Sequence, residues 1–240
     1  MSEARKAFEQ EVRRNRACLE KHLDAGVNFI SFDGVVIEDS VAIAPGATIL
    51  PGTILRGKTV IGAGCVIGPN SVLENAELGE RVEFNQSQGY DCRLADGVRV
   101  GPFAHLRPNT VADSGVHLGA FVETKNSTIG KNTQLSHLTY VGDSDVGKGC
   151  NFGCGTVTSN YDGVSKNRCK VGDYVFIGCN TNLIAPVTVG EGAYTAAGST
   201  ITGDVPAGAL AIARERQTNK EGWAETKLAP YYEKQKKKEN

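Results

Sequence analysis

The sequence has almost no net charge, because 26 Lys and Arg residues are balanced by 27 Asp and Glu residues to give a formal charge of -1. Such a balance excludes the strongly basic surface that nucleic-acid-binding domains present to phosphates. A short basic stretch near the C-terminus is expected to be solvated, and it comprises Lys234, Lys236, Lys237 and Lys238. We therefore expect no nucleic-acid partner.

Long apolar runs are also missing from the sequence. No stretch approaches the ~18 apolar residues that a membrane-spanning helix needs. The segment from Met1 to Asp24 is densely charged and lacks the apolar core of a signal peptide. The seven cysteines are odd in number and form no CxxC pair. These absences predict a reduced, cytoplasmic protein without a membrane partner.

Aromatic residues are scarce, at 7% of the chain, and only 8 residues are proline, whereas glycine accounts for 29 of 240 residues. Glycine therefore exceeds its usual share of about 7%, while glycine plus proline stays below the roughly 25–30% of low-complexity chains. Apolar residues make up 40% of the chain. The composition predicts a folded chain that turns often around a thin core.

Aliphatic residues recur at intervals of six. The first run is Ile37, Ile43, Ile49, Leu55, Ile61, Ile67 and Leu73. The second run is Val171, Ile177, Leu183, Val189, Thr195 and Ile201. Between the runs the period persists with slips, at Val100, Leu106, Leu118, Thr124, Ile129, Leu135, Val141, Val146 and Phe152.

A period of six fits neither the 3.6-residue period of a helix nor a long alternating strand. It fits a short strand followed by a turn, and three such steps make one triangular coil whose stacking buries an aliphatic column. Glycines often follow the aliphatic residue, as in Ile61-Gly62 and Ile129-Gly130, and we expect them to supply the positive φ of the turns. A sandwich of short strands is the alternative, and two long runs in phase argue against it.

The ends of the chain lack this period. Residues 1–34 form a predicted helix and lead-in, in which Phe8, Val12, Leu19 and Leu23 have helical spacing before Gly26. We expect this helix to cap the first coil. The solenoid covers residues 35–214 and is interrupted by a predicted loop at 159–168, whereas the charged residues 215–240 are expected to form an extended C-terminal arm with a basic tail.

The hexads, written [LIV]-G-x-x-x-x, resemble those of the hexapeptide-repeat acyltransferases. Closer resemblance comes from the stretches GPFAHLRP (101–108), HLTYVGDSDVGKGCNFGCGTVTSNYDG (137–163) and ALAIARERQTNKEGW (209–223). These are similar to the acetyltransferase half of the bacterial bifunctional glucosamine-1-phosphate acetyltransferases and uridyltransferases, over about residues 35–223. The implied fold is all-β, a left-handed parallel β-helix with a short N-terminal α-helix and a C-terminal arm.

This resemblance implies an N-acetyltransferase that moves acetyl from acetyl-CoA to the amine of α-D-glucosamine 1-phosphate. The product would serve UDP-N-acetylglucosamine and cell-wall peptidoglycan synthesis, and the family is homotrimeric. No metal is implied for acetyl transfer. Only a short segment precedes the first hexad, where the family has its uridyltransferase half. We therefore expect no uridyltransferase activity in this chain and a separate uridyltransferase for that step.

His137 is the candidate general base, because imidazole titrates near neutral pH and the HLTY motif matches the family's catalytic histidine. His22, His105 and His117 are predicted to be structural. Glu123 lies one coil after His105 and, allowing for a slip in the period, one coil before Tyr140, so we expect these three to line one edge. Glu123 is a candidate for orienting the histidine.

Arg107 and Lys125 are the candidates for binding the sugar phosphate. They lie three steps, or one coil, apart in the sequence and would stack about 4.8 Å apart on one face. Two cations held so closely repel each other unless an anion lies between them; the alternative is a pair of solvated surface charges. The resemblance assigns both to the phosphate, and adds Tyr140, Asn151 and Lys166 as sugar-binding positions.

The resemblance assigns acetyl-CoA to six further residues: Cys154, Asn160, Tyr161, Cys179, Ala197 and Arg214. The family usually has alanine at position 154 and serine at 179, so Cys179 replaces a hydroxyl with a weaker hydrogen-bonding group. Neither cysteine is needed as a nucleophile, since the amine can attack the thioester directly. These candidates do not all lie on one face, so either the 159–168 loop folds back or a neighbouring subunit completes the site, with Arg214 acting in trans.

Three other functions compete with this one. The chain could acetylate another amino sugar or a sugar nucleotide, or it could be a non-catalytic assembly module for a separate nucleotidyltransferase. Metal-dependent carbonic anhydrases also use this helix and need three histidines at zinc, commonly with two of them close together in the sequence. Here His105, His117 and His137 are widely separated along the chain, which disfavours that function.

Overall fold

The computed structural model describes residues 1–238 and is a triangular parallel β-helix with α-helices at both ends. All pairings between its strands are parallel, and each strand pairs with the equivalent strand of the next coil. The predicted class, an all-β parallel β-helix entered through an N-terminal α-helix, is confirmed.

The strands form three faces. The first face holds Asn28–Phe29, Thr48–Ile49, Val66–Ile67, Glu83–Phe84, Arg99–Val100, Asn151–Phe152, Phe176–Ile177, Tyr194–Thr195 and Leu210–Ala211. The second holds Val36–Ile37, Ile54–Arg56, Val72–Glu74, Gln88–Tyr90, His105–Leu106, Val157–Ser159, Asn182–Ile184 and Thr200–Ile201. The third holds Ala42–Ile43, Val60–Ile61, Glu77–Leu78, Arg93–Leu94, Thr110–Ala112, Ser127–Ile129, Ser144–Val146, Cys169–Val171 and Val187–Val189.

Two longer strands differ from the rest because they run from the first face to the second without a break. They are His117–Lys125 and Gln134–Gly142. We call the edge that they cross the first corner, and the edge between the second and third faces the second corner. The two strands stay in register across the first corner, with Leu118 opposite Leu135 on one side and Lys125 opposite Gly142 on the other.

The hexad residues form the core as predicted. The aliphatic residues of both runs are buried, and Phe84 and Phe152 are the largest fully buried side chains in the column. Small polar residues four positions later are buried with them, and their hydroxyls satisfy corner carbonyls: Thr53 Oγ1 donates to Leu50 O at 2.7 Å and Thr59 Oγ1 to Arg56 O at 2.6 Å. Because these bonds are made, the polar atoms can be buried at little cost.

The expected role of the glycines after the aliphatic residues is wrong at most positions. Positive φ occurs instead three residues after the aliphatic, for example at Gly46 with φ 81°. Gly130, directly after Ile129, has an ordinary φ, but a Cβ there would lie 2.5 Å from the carbonyl carbon of Gly147 in the next coil. A glycine at that place therefore permits close stacking of coils rather than a turn.

Helix α1 spans Glu3–Asp24, 22 residues, and caps the first coil as expected. Asn15 hydrogen-bonds to backbone groups at the open edge of the second face. Its Nδ2 donates to Val35 O at 2.9 Å and its Oδ1 accepts from Ile37 N at 3.1 Å. Leu19 is buried against the coil. The N-terminal half projects beyond the coil, which leaves Phe8 and Val12 exposed.

The C-terminal arm departs from the expected extended conformation, because it contains α2, Trp223–Lys227, and α3, Ala229–Lys236. Pro230 lies in the first turn of α3, where its missing N–H leaves no helical bond unmade. Neither helix has a buried residue. Residues 239–240 of the predicted arm lie outside the described residues. No helix within residues 1–238 has the length and apolarity to cross a membrane.

Candidate active site

Arg107 and Lys125 lie at the second corner on adjacent coils, as their spacing predicts. His105 is in register with Glu123 and Leu106 with Thr124, and Arg107 N donates to Thr124 O at 2.8 Å. Glu123 is also in register with Tyr140. The expected edge of His105, Glu123 and Tyr140 is therefore present on the second face.

The carboxylate of Glu123 interacts with Arg107 and not with His137. Arg107 Nη1 donates to Glu123 Oε1 at 2.8 Å, and both side chains are partly exposed. His137 is opposite Ala120, which precedes Glu123 on the same strand. Among the described residues, no hydrogen bond joins Glu123 to His137, so the structure does not bring the proposed orienting residue to the histidine.

Lys166 reaches the second corner from the loop and lies beside Lys125. It lowers the pKa of Lys125, first by hydrogen-bonding to the Lys125 nitrogen and then by the repulsion of its charge, and Arg107 adds to that repulsion. Three cationic side chains from two coils and the loop thus converge on one corner. Such a cluster is suited to binding an anion.

The loop at 159–168 leaves the coil after Ser159 and returns at Cys169. Its base is closed by an antiparallel bridge between Tyr161 and Lys166. Inside the loop, backbone amides of Ser165 and Val164 donate to the Asp162 carboxylate and hold its pKa below the ordinary range. The conformation of the loop is therefore held by hydrogen bonds between its own residues.

Asp143, a residue that sequence reasoning missed, anchors this loop to the second corner. Its buried carboxylate accepts hydrogen bonds from Asn126 Nδ2 at 2.5 Å and from Asn160 Nδ2. Burial raises the pKa of Asp143, but these bonds and the charges of Lys166 and Lys125 outweigh it, and the net pKa is lowered. The sequence contains a signal for this residue, because Asn or Asp recurs along this corner. The recurring residues all have positive φ, and they are Asn75, Asp91, Asn109, Asn126 and Asp143.

Tyr140 lies across Gly142, a second residue that sequence reasoning missed. A Cβ at Gly142 would come within 2.6 Å of Tyr140 Cζ and 2.9 Å of Asn160 Nδ2. The absence of a side chain at 142 therefore admits the phenol to the second corner, beside the loop. This contact places Tyr140 and Asn160 together at the second corner, where Lys166, the bridge partner of Tyr161, lies beside Lys125.

A second group of predicted residues lies on the first corner. The coils keep the same register on both sides of it, with Leu135 opposite Phe152 and Tyr140 opposite Val157. The same position is therefore occupied by His137 and Cys154 in adjacent coils. Both side chains are exposed.

The column continues into the next coils. The register of each further pair of coils is again constant across the corner, which adds Cys179 and Ala197. Arg214 lies at its far end, where its Cδ would be 3.7 Å from a Cβ placed on Gly198. His137, Cys154, Cys179, Ala197 and Arg214 thus follow one continuous line, which we call the first-corner column.

Asn151 belongs to neither group. It is exposed on the first face, in register with Gln134 and Phe176. A groove of about 580 Å³ on the third face is lined by none of the predicted site residues. Among residues 1–238 there is no group of three or more His, Cys, Asp or Glu side chains arranged to hold a metal ion.

The chain matches the family model described as bacterial transferase hexapeptide (six repeats), at residues 42–75 and 168–203. It is 58% identical over 149 residues to the bifunctional protein GlmU of Caldicellulosiruptor saccharolyticus, covering 62% of this chain and 32% of that protein. It is 55% identical over 153 residues to the GlmU of Clostridium perfringens, covering 64% and 34%. The chain thus spans about a third of the length of these curated relatives.

Among solved structures, an Arabidopsis UDP-N-acetylglucosamine acyltransferase gives a TM-score of 0.44 at 16% identity, covering 87% of this chain and 78% of that one. The hexad periodicity, the parallel three-faced coil and the matched repeats agree with one another. The chain thus carries repeats that match those of bacterial hexapeptide transferases, and its repeat region is similar to about a third of the GlmU proteins.

Proposed function

We propose that the chain is a glucosamine-1-phosphate N-acetyltransferase, which transfers acetyl from acetyl-CoA to the amine of α-D-glucosamine 1-phosphate. One observation carries the proposal: Arg107, Lys125 and Lys166 converge on the second corner and repel one another there. A phosphate between them relieves that repulsion. The similarity to proteins named GlmU supports the acetyl-transfer chemistry.

In the proposed reaction the sugar phosphate binds at the second corner, with Tyr140 and Asn151 contacting the sugar. His137 takes a proton from the sugar ammonium, and the amine nitrogen attacks the thioester carbonyl. The carbon–sulfur bond breaks, CoA leaves as a thiolate, and that thiolate takes up the proton that the nitrogen loses as the amide forms. Asn160, Tyr161 and the first-corner column, from Cys154 to Arg214, line the path of acetyl-CoA.

The two groups of residues occupy different corners of the β-helix, and Asn151 lies on the first face. This separation supports a homotrimer in which a neighbouring subunit completes each site and Arg214 acts on the adjacent subunit. All seven cysteines are free thiols, which supports a cytoplasmic location. The product would be consumed by a separate uridyltransferase in UDP-N-acetylglucosamine synthesis.

The deciding experiment measures release of the CoA thiol from acetyl-CoA in the presence of α-D-glucosamine 1-phosphate. Saturable release that depends on the sugar phosphate is expected, with N-acetylglucosamine 1-phosphate identified by mass. A blank without acceptor corrects for the exposed thiols of Cys154 and Cys179. Greater activity with another amino sugar or a sugar nucleotide would identify a different acceptor, and absence of turnover with all of them would favour the assembly module.

A further inference from the structure

Two of the seven cysteines differ from the rest in exposure. Cys154 and Cys179 are exposed, and the other five are buried. Burial raises the pKa of the buried thiols, to about 12 for Cys92 and about 11 for Cys169. Since the thiolate is the reactive species, reagents in solution should reach and modify only the exposed pair.

The exposed thiols occupy equivalent positions in adjacent coils. Phe152 is opposite Ile177 and Val157 is opposite Asn182, so the register of the two coils is the same on both sides of the first corner. The coils also remain hydrogen-bonded at the corner, where Asn180 N donates to Cys154 O at 2.8 Å. Counted along this register, Cys179 is the partner of Cys154, and the two face each other across one strand spacing.

This spacing permits a disulfide. Adjacent parallel strands lie about 4.8 Å apart, and a disulfide requires Cα atoms roughly 4.4–6.8 Å apart. Both side chains point outward from the same position, so no rearrangement of the core is needed to join them. One strand spacing therefore lies within the range of Cα distances that a disulfide requires.

We propose that Cys154 and Cys179 form a dithiol site that small disulfides convert into an intramolecular disulfide. One thiolate attacks a sulfur of the reagent RSSR, forms a mixed disulfide and releases RS⁻. The second cysteine then attacks the protein sulfur of that bond and releases the second RS⁻. The two cysteines lose two electrons to the reagent, and their two thiol protons pass to the released thiolates or to water.

The site lies between His137 and Ala197 in the first-corner column. Under the proposed function, on which this part of the inference rests, the column also binds acetyl-CoA. Acetyl-CoA and the small disulfide then compete for the same surface. The oxidised pair should consequently bind acetyl-CoA less tightly, and the reduced pair should be protected by acetyl-CoA.

The test treats the native full chain with 5,5′-dithiobis(2-nitrobenzoate) and follows the released aromatic thiolate together with the intact mass. We expect two thiolates per chain, and a product that is lighter by two hydrogens and carries no adduct. Cys154→Ser and Cys179→Ser should each release one thiolate and retain the aromatic group as a stable mixed disulfide. A non-reducing gel should show a single chain.

Position on the corner is tested by moving one thiol. In the double variant Cys154→Ala/Ala197→Cys, the new thiol lies one coil beyond Cys179, because Ile177 is opposite Thr195 and Leu183 opposite Ile201. This variant should again give an adduct-free product. A wild-type chain that retains two aromatic groups, releases no thiolate or forms covalent dimers would overturn the proposed pair.

Competition is tested by repeating the reaction with acetyl-CoA. Release should slow about tenfold when acetyl-CoA is present at roughly ten times its Kd. Unchanged release from a chain that still transfers acetyl would overturn the link between the thiols and the acetyl-CoA path. Disulfide formation in a chain without acetyltransferase activity would instead overturn the proposed function and leave the dithiol site established.

Discussion

The guanidinium of Arg107 donates a 2.8 Å hydrogen bond to the carboxylate of Glu123 across one strand spacing. Both side chains are partly exposed, and exposed ion pairs contribute only about 0.2–1 kcal/mol. The contact therefore matters less for stability than for the charge and orientation of Arg107. It places Glu123 among the residues at the second corner, which we propose to bind the sugar phosphate, and not beside His137.

We predict that Glu123→Gln lowers KM for glucosamine 1-phosphate by up to about fivefold, an effect of ~1 kcal/mol. The amide oxygen still accepts the bond from Arg107, while the charge that repels the phosphate is lost. The pH dependence of kcat should not change. Steady-state kinetics check this, with Glu77→Gln, whose partner Arg93 lies on the third face, as the matched control. A fall in kcat with a shifted pH profile would instead support an orienting role toward His137.

His137→Ala should lower kcat by roughly 10²–10⁴-fold, the usual contribution of a positioned general base. Its side chain is exposed, so the thermal midpoint should stay at the wild-type value. His117→Gln is the control, because His117 lies on the first face and burial lowers the pKa of its imidazole. Near wild-type turnover in His137→Ala would remove His137 as the base.

Binding of the sugar phosphate should draw protons onto the protein as the pH approaches 10.5, the ordinary pKa of a lysine. Lys125 has a pKa below the ordinary 10.5 because Lys166 and Arg107 disfavour its charged form. A phosphate favours the charged form, so binding should raise the pKa of Lys125 and increase the fraction of chains in which Lys125 is protonated. Titration calorimetry in two buffers of different ionisation enthalpy measures this uptake.

Lys166→Gln provides the comparison for that measurement. Without Lys166 the main cause of the lowered pKa is gone, so a larger fraction of Lys125 is already protonated at the same pH. Proton uptake should then fall, while KM for the sugar phosphate rises because one cation is lost. Equal proton uptake in both proteins would show that Lys125 and Lys166 do not interact in solution.

The inward-facing residues of the coils could be predicted from the sequence, because an inward position in a stacked coil accepts only a side chain that fits a narrow column. Ile49, Leu106 and Val189 follow from the period alone, and all are fully buried. The hand of the coil did not follow from the period and came from the family resemblance.

Outward positions were less predictable, since solvent accepts many side chains there. The partner of Glu123 and the anchoring role of Asp143 depend on the register between coils. That register changes along the chain, because the coil that joins Glu83 to its partner Arg99 is shorter than the one that joins Asn151 to Phe176. The helices of the C-terminal arm were missed for another reason, because the arm has charged residues and no buried stripe to give a period.

Asp143→Asn should loosen the 159–168 loop. An amide in that place brings its own N–H groups and has fewer acceptor sites for the Asn126 and Asn160 amides. We expect faster hydrogen exchange in the loop and a higher KM for acetyl-CoA, with little change in the coil strands. Asp91→Asn is the matched control, because Asp91 has the same corner conformation but is exposed.

The pH dependence of this anchor follows from the lowered pKa of Asp143. A carboxyl whose folded pKa is depressed adds stability above its ordinary pKa of 3.8, and this stability is lost as the pH falls through the lower, folded value. The wild-type loop should therefore stay protected down to pH 3.8 and open below it. Equal loop exchange in Asp143→Asn and in wild type above that pH would contradict the anchoring role.

Alanine and asparagine should rank in opposite order at two glycines, because one glycine adopts a left-handed conformation and the other allows two coils to stack closely. Gly46 has φ 81° with open space around its Cβ position, whereas Gly130 has an ordinary φ and faces the backbone of Gly147. Gly46→Ala should cost about 1 kcal/mol through its left-handed conformation, and Gly46→Asn less, since asparagine tolerates that conformation. Gly130→Ala should cost about 1–3 kcal/mol through overpacking, and Gly130→Asn more, since it is larger. Thermal midpoints of the four variants test this ranking, and a benefit of asparagine over alanine at both positions would mean that Gly130 also serves as a turn.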